Sequence, residues 1–470
     1  VTWRRLALPL GLYAFGVAVF AVVAWNRLWV PSTAPHFAVQ AEAWLRGELS
    51  IRPPLPPDDV AKVETVRLDD GRVVRGRTFT SPGRRGAFQT TTGEVVAAPR
   101  VTERLGTTAY MSFPPFPSVV MLPQVALSGR GALDVLTTVL IAGLVMPLLF
   151  GILRQLARQG LGPPRLVDQL VLVAALPLGT VFFFSAVQGK VWFTAHVIGV
   201  VLALGYIWCA IDARRPLLAG VLLGCAALTR TPLAFMFPLL ALEALRAVGG
   251  LAAVRGTTDE ARAARKRLLR TLAWFAAPVV VLAVAGMVYN AARFGSPTEF
   301  GHTYLAVRQQ AQIEAHGLFS YHYLARNLTV AFTLLPELGG GGKLLQISGH
   351  GLAMWVTTPA LLLLLWPRAG TTGGLHRNLW ITVAFVALPT FLYQNSGWVQ
   401  FGYRFSLDYM PMLFVLLALG GRTTTWLARG LIAIGVVVNL FGAVTFDRMP
   451  EYYRLGGRGA DSAYDVVMPN

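Results

Sequence analysis

Residues 3–29 read WRRLALPLGLYAFGVAVFAVVAWNRLW. Two arginines, Arg4 and Arg5, stand before an apolar stretch long enough to cross a bilayer, whose hydrocarbon core of about 30 Å needs about 20 helical residues. The polar stretch Pro31 to Ser112 follows, and then the apolar pattern resumes and runs nearly to the end of the chain. A first span followed by a large loop places a working surface at one face of a membrane.

Composition supports this reading. Hydrophobic residues make up 54% of the chain and charged residues only 14%, against about 25% charged in an ordinary soluble domain. The apolar runs are continuous and do not alternate, which excludes the β-barrel pattern. The first stretch lacks a small-residue cleavage site and reads as a spanning helix, not a cleaved signal. The expected fold is an all-α polytopic membrane protein with spans near 6–29, 132–153, 166–187, 191–211, 216–229, 232–247, 271–291, 351–367, 378–394, 408–421 and 426–446. The pair at 216–247 is either two short helices or one broken unit, interrupted at Thr229-Arg230-Thr231-Pro232.

The net charge of +18 does not point to nucleic acid, because the basic residues sit beside the ends of spans. Arg4, Arg154, Arg158, Arg165, Arg214, Arg215, the dense loop from Arg246 to Arg270, Arg368, Arg377, Arg422 and Arg429 all fall on one side if the N-terminus is cytoplasmic. About eleven spans then leave the tail 447–470 outside. Cys209 and Cys225 lie within spans and read as small core residues.

The first outer loop, 31–115, is expected to face out. Pro35 to Arg46 reads as an interfacial helix with Phe37, Ala41, Trp44 and Leu45 on one side. Turn signals at Asp69-Asp70-Gly71 and Thr92-Gly93 predict small β hairpins. Phe116 to Leu127 is apolar but too short to span. A second outer loop covers 292–350. No internal repeat of the kind that marks paired transporter halves is visible.

Several phrases resemble a known group. Pro35-His36-Phe37 with Ala41-Glu42-Ala43-Trp44-Leu45-Arg46-Gly47 resembles the first outer loop of bacterial GT-C glycosyltransferases of the protein-mannosyltransferase type. Tyr110-Met111-Ser112-Phe113-Pro114-Pro115-Phe116-Pro117, Leu228-Thr229-Arg230-Thr231-Pro232, Tyr289-Asn290 with Arg293-Phe294-Gly295-Ser296-Pro297, and Gly397-Trp398 through Phe401-Gly402-Tyr403-Arg404-Phe405 with Asp408 are similar to further phrases of that group. The resemblance implies one GT-C-like transmembrane domain over 1–470. It also implies an enzyme of the bacterial inner membrane that moves a sugar from a polyprenyl-phosphate donor to an acceptor at the outer face, with inversion. Its partners would be membrane lipid, that donor and an acceptor of undetermined class. No cofactor is implied with certainty, and a divalent metal is undecided. Relatives carry an Asp about fifteen residues before the loop glycine, where this chain has Ser32-Thr33. That departure keeps two alternatives open: a lipid-linked sugar transporter or flippase, and a non-catalytic GT-C relative.

Displacement at a sugar carbon needs a base for the acceptor and cations for the departing phosphate. Glu42 and His36 are the candidate bases; equally, Glu42 pairs with Arg46 one turn on, and His36 is an interfacial histidine. Arg230, interrupting apolar sequence, is the first candidate for the donor phosphate, because a charge there is costly unless paired or hydrated. Arg404 and Lys190 are the others; Arg404 could instead pair locally with Asp408, and Lys190 could snorkel to the interface. Tyr289, Arg293, Trp398, Tyr403 and Asp408 are candidates for sugar or substrate contact. Asp58 and Asp59 follow the proline run and read as a solvated turn or, alternatively, as a pair folded back over the site; His196 reads as a core histidine. The histidines of the second outer loop, His302, His316, His322 and His350, lack metal-ligand spacing.

Overall fold

The computed structural model describes residues 3–79, 82–305, 310–339, 344–368, 370 and 373–454. Among the described residues six stretches are helical, long and apolar enough to cross a membrane: Leu6–Trp29, Asp134–Arg158, Val191–Ala213, Asp259–Phe294, Gly374–Leu392 and Trp426–Thr445. Shorter apolar helices, Leu166–Leu178, Pro216–Ala227 and Met410–Leu419, accompany them. The chain is a multi-pass helical membrane protein.

The helices run in chain order as α1 (Trp3–Ala24), α2 (His36–Leu45), α3 (Phe116–Ser128), α4 (Asp134–Ala142), α5 (Val145–Arg158), α6 (Leu166–Leu178), α7 (Phe182–Ala186), α8 (Val191–Ala210), α9 (Pro216–Ala227), α10 (Phe237–Ala247), α11 (Gly250–Val254) and α12 (Asp259–Phe294). After them come α13 (Gln310–His316), α14 (Leu324–Phe332), α15 (Met354–Thr357), α16 (Gly374–Leu392), α17 (Met410–Leu419) and α18 (Trp426–Thr445).

Several expected spans are broken, and proline or glycine marks each break. In 166–187, α6 and α7 are separated at Gly179. Between α9 and α10, Pro232 opens a 3-10 turn, Thr231–Met236. The span expected at 351–367 is only α15 followed by a 3-10 run, Pro359–Leu365, because Pro359 cannot supply the N–H a continuing helix needs. The carbonyl of Thr357 freed there accepts from Asn439 Nδ2 of α18 at 2.5 Å, as buried backbone requires away from water.

Two small residues set the closest helix approach. A Cβ at Gly220 of α9 would lie 2.2 Å from the Phe275 carbonyl of α12, and one at Gly224 2.5 Å from Leu282. This G-x-x-x-G spacing lets the two backbones touch. The 36 residues of α12 span ~54 Å at 1.5 Å per residue, far more than ~30 Å of hydrocarbon. Thr258 caps its start, and Gly295, at φ 75°, ends it in the left-handed conformation.

The first loop forms a cap on one end of the bundle. The expected hairpins belong to one five-stranded sheet of order β4-β3-β2-β1-β5, with β1 Val60–Leu68, β2 Val73–Thr78, β3 Phe88–Thr90, β4 Val95–Val96 and β5 Val101–Met111. Its inner end packs on α2 through Val39, Ala43, Ile51, Val60, Ala109 and Met111. One face meets the end of α12 through Ala61, Val63, Tyr110 and Phe294. Beneath, Phe37, Ala38 and Ala41 of α2 pack on Met121 and Val125 of α3 and on Val191 and Ala195 of α8. A second sheet, absent from the sequence expectation, joins Glu337–Leu338, Leu345–Ser348 and Tyr453–Arg454. Most of the expected tail, 455–470, lies outside the described residues.

The far end is tied by a separate polar group. Glu243 is fully buried, and its carboxylate accepts from Arg246 Nε at 3.0 Å, Asn378 Nδ2 at 2.8 Å and the Asp212 N–H at 2.9 Å. This gathers α10, α16 and the end of α8 near the start of the basic segment 246–270.

Candidate functional site

Three stretches far apart in sequence converge under the cap. The first is the break after α9. Leu228 offers its carbonyl to the Phe116 N–H of α3 at 2.9 Å, and Arg230 follows in extended conformation before Pro232. The second is a 3-10 turn, Arg404–Asp408. The third is the start of α8, with Trp192, Phe193 and His196.

Arg230 and Asp408 form a bidentate pair, Nε–Oδ1 2.6 Å and Nη2–Oδ2 2.8 Å. His196 Nδ1 lies 3.6 Å from the same Oδ1. His196, expected as a core histidine, is buried, but it stands within this group. Asp408 is 1% exposed, whereas the Arg230 side chain keeps 16% of its surface.

Arg404 behaves differently from the local pairing weighed above. Its Nη1 donates to the carbonyls of Gly397 and Val399, the latter at 3.1 Å, and its N–H to Gln400 Oε1 at 2.9 Å. Asp408 goes to Arg230 instead. Arg404 is buried, and its Nε has no hydrogen-bond partner. The Phe405 ring lies 5.3 Å from the Arg230 guanidinium and 5.4 Å from that of Arg404. The two guanidiniums thus share one aromatic ring, Arg230 paired with Asp408 and Arg404 held by backbone carbonyls with one N–H left over.

Asp59 supplies a carboxylate on the cap side. Its Oδ2 accepts from the Trp192 indole N–H at 2.7 Å, and its carbonyl accepts from Ser112 Oγ at 2.7 Å. It lies within electrostatic reach of Arg404, Tyr393, His36 and His302. Asp58 and Asp59 both hold positive φ, 55° and 46°, a conformation that non-glycine residues keep only where surrounding contacts enforce it. Asp59 is therefore a fixed residue, not the solvated turn its sequence suggests.

His36 opens α2 and is buried. Its Nε2 lies 3.2 Å from the Asp58 carbonyl, and its ring meets Phe113 and Trp192. Burial holds its imidazole below the usual 6.5. Glu42 lies elsewhere on the helix, in ion pairs with Arg46 and with Arg130 Nε at 2.7 Å, which leaves it poorly placed to act as a base.

The remaining candidates are dispersed. Tyr289 and Arg293 bind the cap to α12: the Tyr289 hydroxyl accepts from Gln40 Nε2 at 2.8 Å, and Arg293, 1% exposed, donates to the Met111 carbonyl and stacks on Tyr289 at 3.9 Å. Tyr403 is fully buried against Phe391. Trp398 packs on His350 at 4.8 Å. Lys190 pairs with Asp447 at 2.7 Å and belongs to another group. Ser32, where the resemblance leads one to expect an acid, donates its N–H to Asp134 Oδ1 at 2.8 Å, and its hydroxyl donates to Oδ2. A buried carboxylate thus does stand there, at the head of α4, with its hydrogen bonds taken up. Among the described residues no group of three or more His, Cys, Asp or Glu is gathered as for a metal ion.

No protein family matches the chain, and no solved structure matches it. A ribonuclease Z of Bacillus velezensis is 41% identical over 56 residues, which is 12% of this chain and 18% of that protein. The chain thus spans less than a fifth of that relative, and so short a likeness defines no family.

Proposed function

We propose that the protein is a membrane-embedded transferase of GT-C type that takes a sugar from a polyprenyl-phosphate donor at the membrane face carrying the cap. The observation that carries this reading is the buried Arg404 guanidinium, whose Nε has no hydrogen-bond partner, beside the Arg230–Asp408 pair and within electrostatic reach of the Asp59 carboxylate. Guanidiniums suit phosphate oxygens, and a carboxylate facing them suits an acceptor proton. In this reading the six long helices, the shorter apolar ones and the broken segments together make about eleven crossings. The basic segment at the far end favours a cytoplasmic N-terminus and a cap outside.

In this scheme the acceptor hydroxyl oxygen attacks the sugar's anomeric carbon. The carbon–oxygen bond to phosphate breaks, and polyprenyl phosphate departs with the electron pair. Asp59 takes the hydroxyl proton. Arg404 and Arg230 balance the charge growing on the phosphate. Trp192 fixes the orientation of the base.

The reading is tested by reconstituting the full chain in liposomes with polyprenyl-phosphate sugars and following transfer. Transfer that falls sharply in Arg404→Gln supports it. Full donor binding without transfer to any acceptor would favour the non-catalytic relative instead, a reading that the ion-paired Glu42 also favours.

A further inference from the structure

A second group of cations lies at the cap end of the bundle, around one carboxylate. Lys190 Nζ is 2.7 Å from Asp447 Oδ2, and Arg27 Nη2 is 3.6 Å from the same oxygen. Arg448 Nη2 turns to the carbonyls of Val23 and Ala24, both at 2.9 Å. Arg27 also donates to the Asp447 carbonyl at 3.1 Å, yet its Nη1 is buried without a hydrogen-bond partner.

Three positive charges against one negative leave two. The final turns of α1 and α18 supply about half a negative charge each, so roughly one full positive charge stays unbalanced. Topology does not explain it, because basic residues gather at the opposite end, around 246–270. Trp25 and Trp29, 72% and 71% exposed, flank Arg27 as residues at headgroup depth do. Phe193 and Phe446, 5.6 Å apart, lie between this group and Arg404, whose guanidinium is 5.4 Å from the Phe193 ring. The group is therefore distinct from the Arg230–Arg404 site.

We propose that Arg27, Lys190 and Arg448 hold the phosphate of an anionic lipid headgroup. The site goes beyond the transfer reaction and stands without it. Native mass spectrometry of the full chain, titrated with phosphatidylglycerol or phosphatidylcholine, tests it. The wild type is expected to retain phosphatidylglycerol in preference, and the double variant Arg27→Gln, Lys190→Gln to hold it roughly tenfold more weakly. Asp447→Asn removes the opposing charge and is expected to tighten retention, a change of opposite sign that misfolding does not imitate. Equal retention of both lipids, or no response to all three substitutions, overturns the proposal. Inorganic phosphate that displaces phosphatidylglycerol at similar concentration shows a free-anion site and overturns the lipid assignment.

Discussion

Arg230 and Asp408, 178 positions apart, meet in a two-bond ion pair beneath the cap, and His196 lies beside it. The pair joins the break after α9 to the turn before α17. It thereby fixes two irregular segments that have no regular hydrogen-bond ladder of their own. Asp408 is the sole carboxylate in contact with Arg230 among the described residues.

Removing one partner exposes the other. Asp408→Ala is expected to cost ~3 kcal/mol, since it leaves two guanidiniums facing each other. The double variant Arg230→Met, Asp408→Leu should cost less than the two single changes added together. Denaturation in mixed micelles measures this, and strictly additive losses would contradict the pairing.

Gly220→Val should destabilise by about 1–3 kcal/mol, because its side chain meets the Phe275 carbonyl. Gly11→Ala in α1, with nothing within 4 Å, should be neutral or slightly stabilising. If the two variants unfold alike, the close contact between α9 and α12 is not where the geometry puts it.

Asp59→Asn is expected to lower turnover by at least ~100-fold with donor binding kept. Glu42→Gln should stay within a few-fold of wild type, because Glu42 serves two ion pairs. Reversed effects in the liposome assay would return the role of base to Glu42.

Buried His36 and half-buried His302 both titrate below 6.5 because burial disfavours the charged ring. The unfolded chain then binds more protons than the fold between those values and 6.5. Stability is complete above about 6.5 and is lost as pH falls through the folded values. Unfolding midpoints at pH 7.5 and 5 should show this slope, and His36→Gln should flatten it; an unchanged slope argues against a neutral buried ring.

Much of the membrane architecture is legible, because an apolar run of sufficient length has few other uses. Pro232 and Pro359 stand at breaks, though only the first has a charged neighbour; the second follows Thr357-Thr358 and opens Pro359-Ala-Leu-Leu-Leu-Leu-Leu365, whose greasiness imitates a span. The site is harder to read. Arg404 and Asp408 are spaced for a helical pair, but the short turn between them sends Asp408 to Arg230. Asp59 reads as a turn residue because its partner, Trp192, is remote in sequence. The carboxylate at Ser32 comes from Asp134, and no local pattern announces it.

Pro278 lies within α12 and beside Gly220, where its ring would crowd any added Cβ. A proline inside a helix removes one rung of the ladder and makes a joint. The joint therefore sits where α12 is pressed against α9. The missing rung thus lies against the very helix that ends just before Arg230, so one irregularity of the bundle is seated on the element leading to the other.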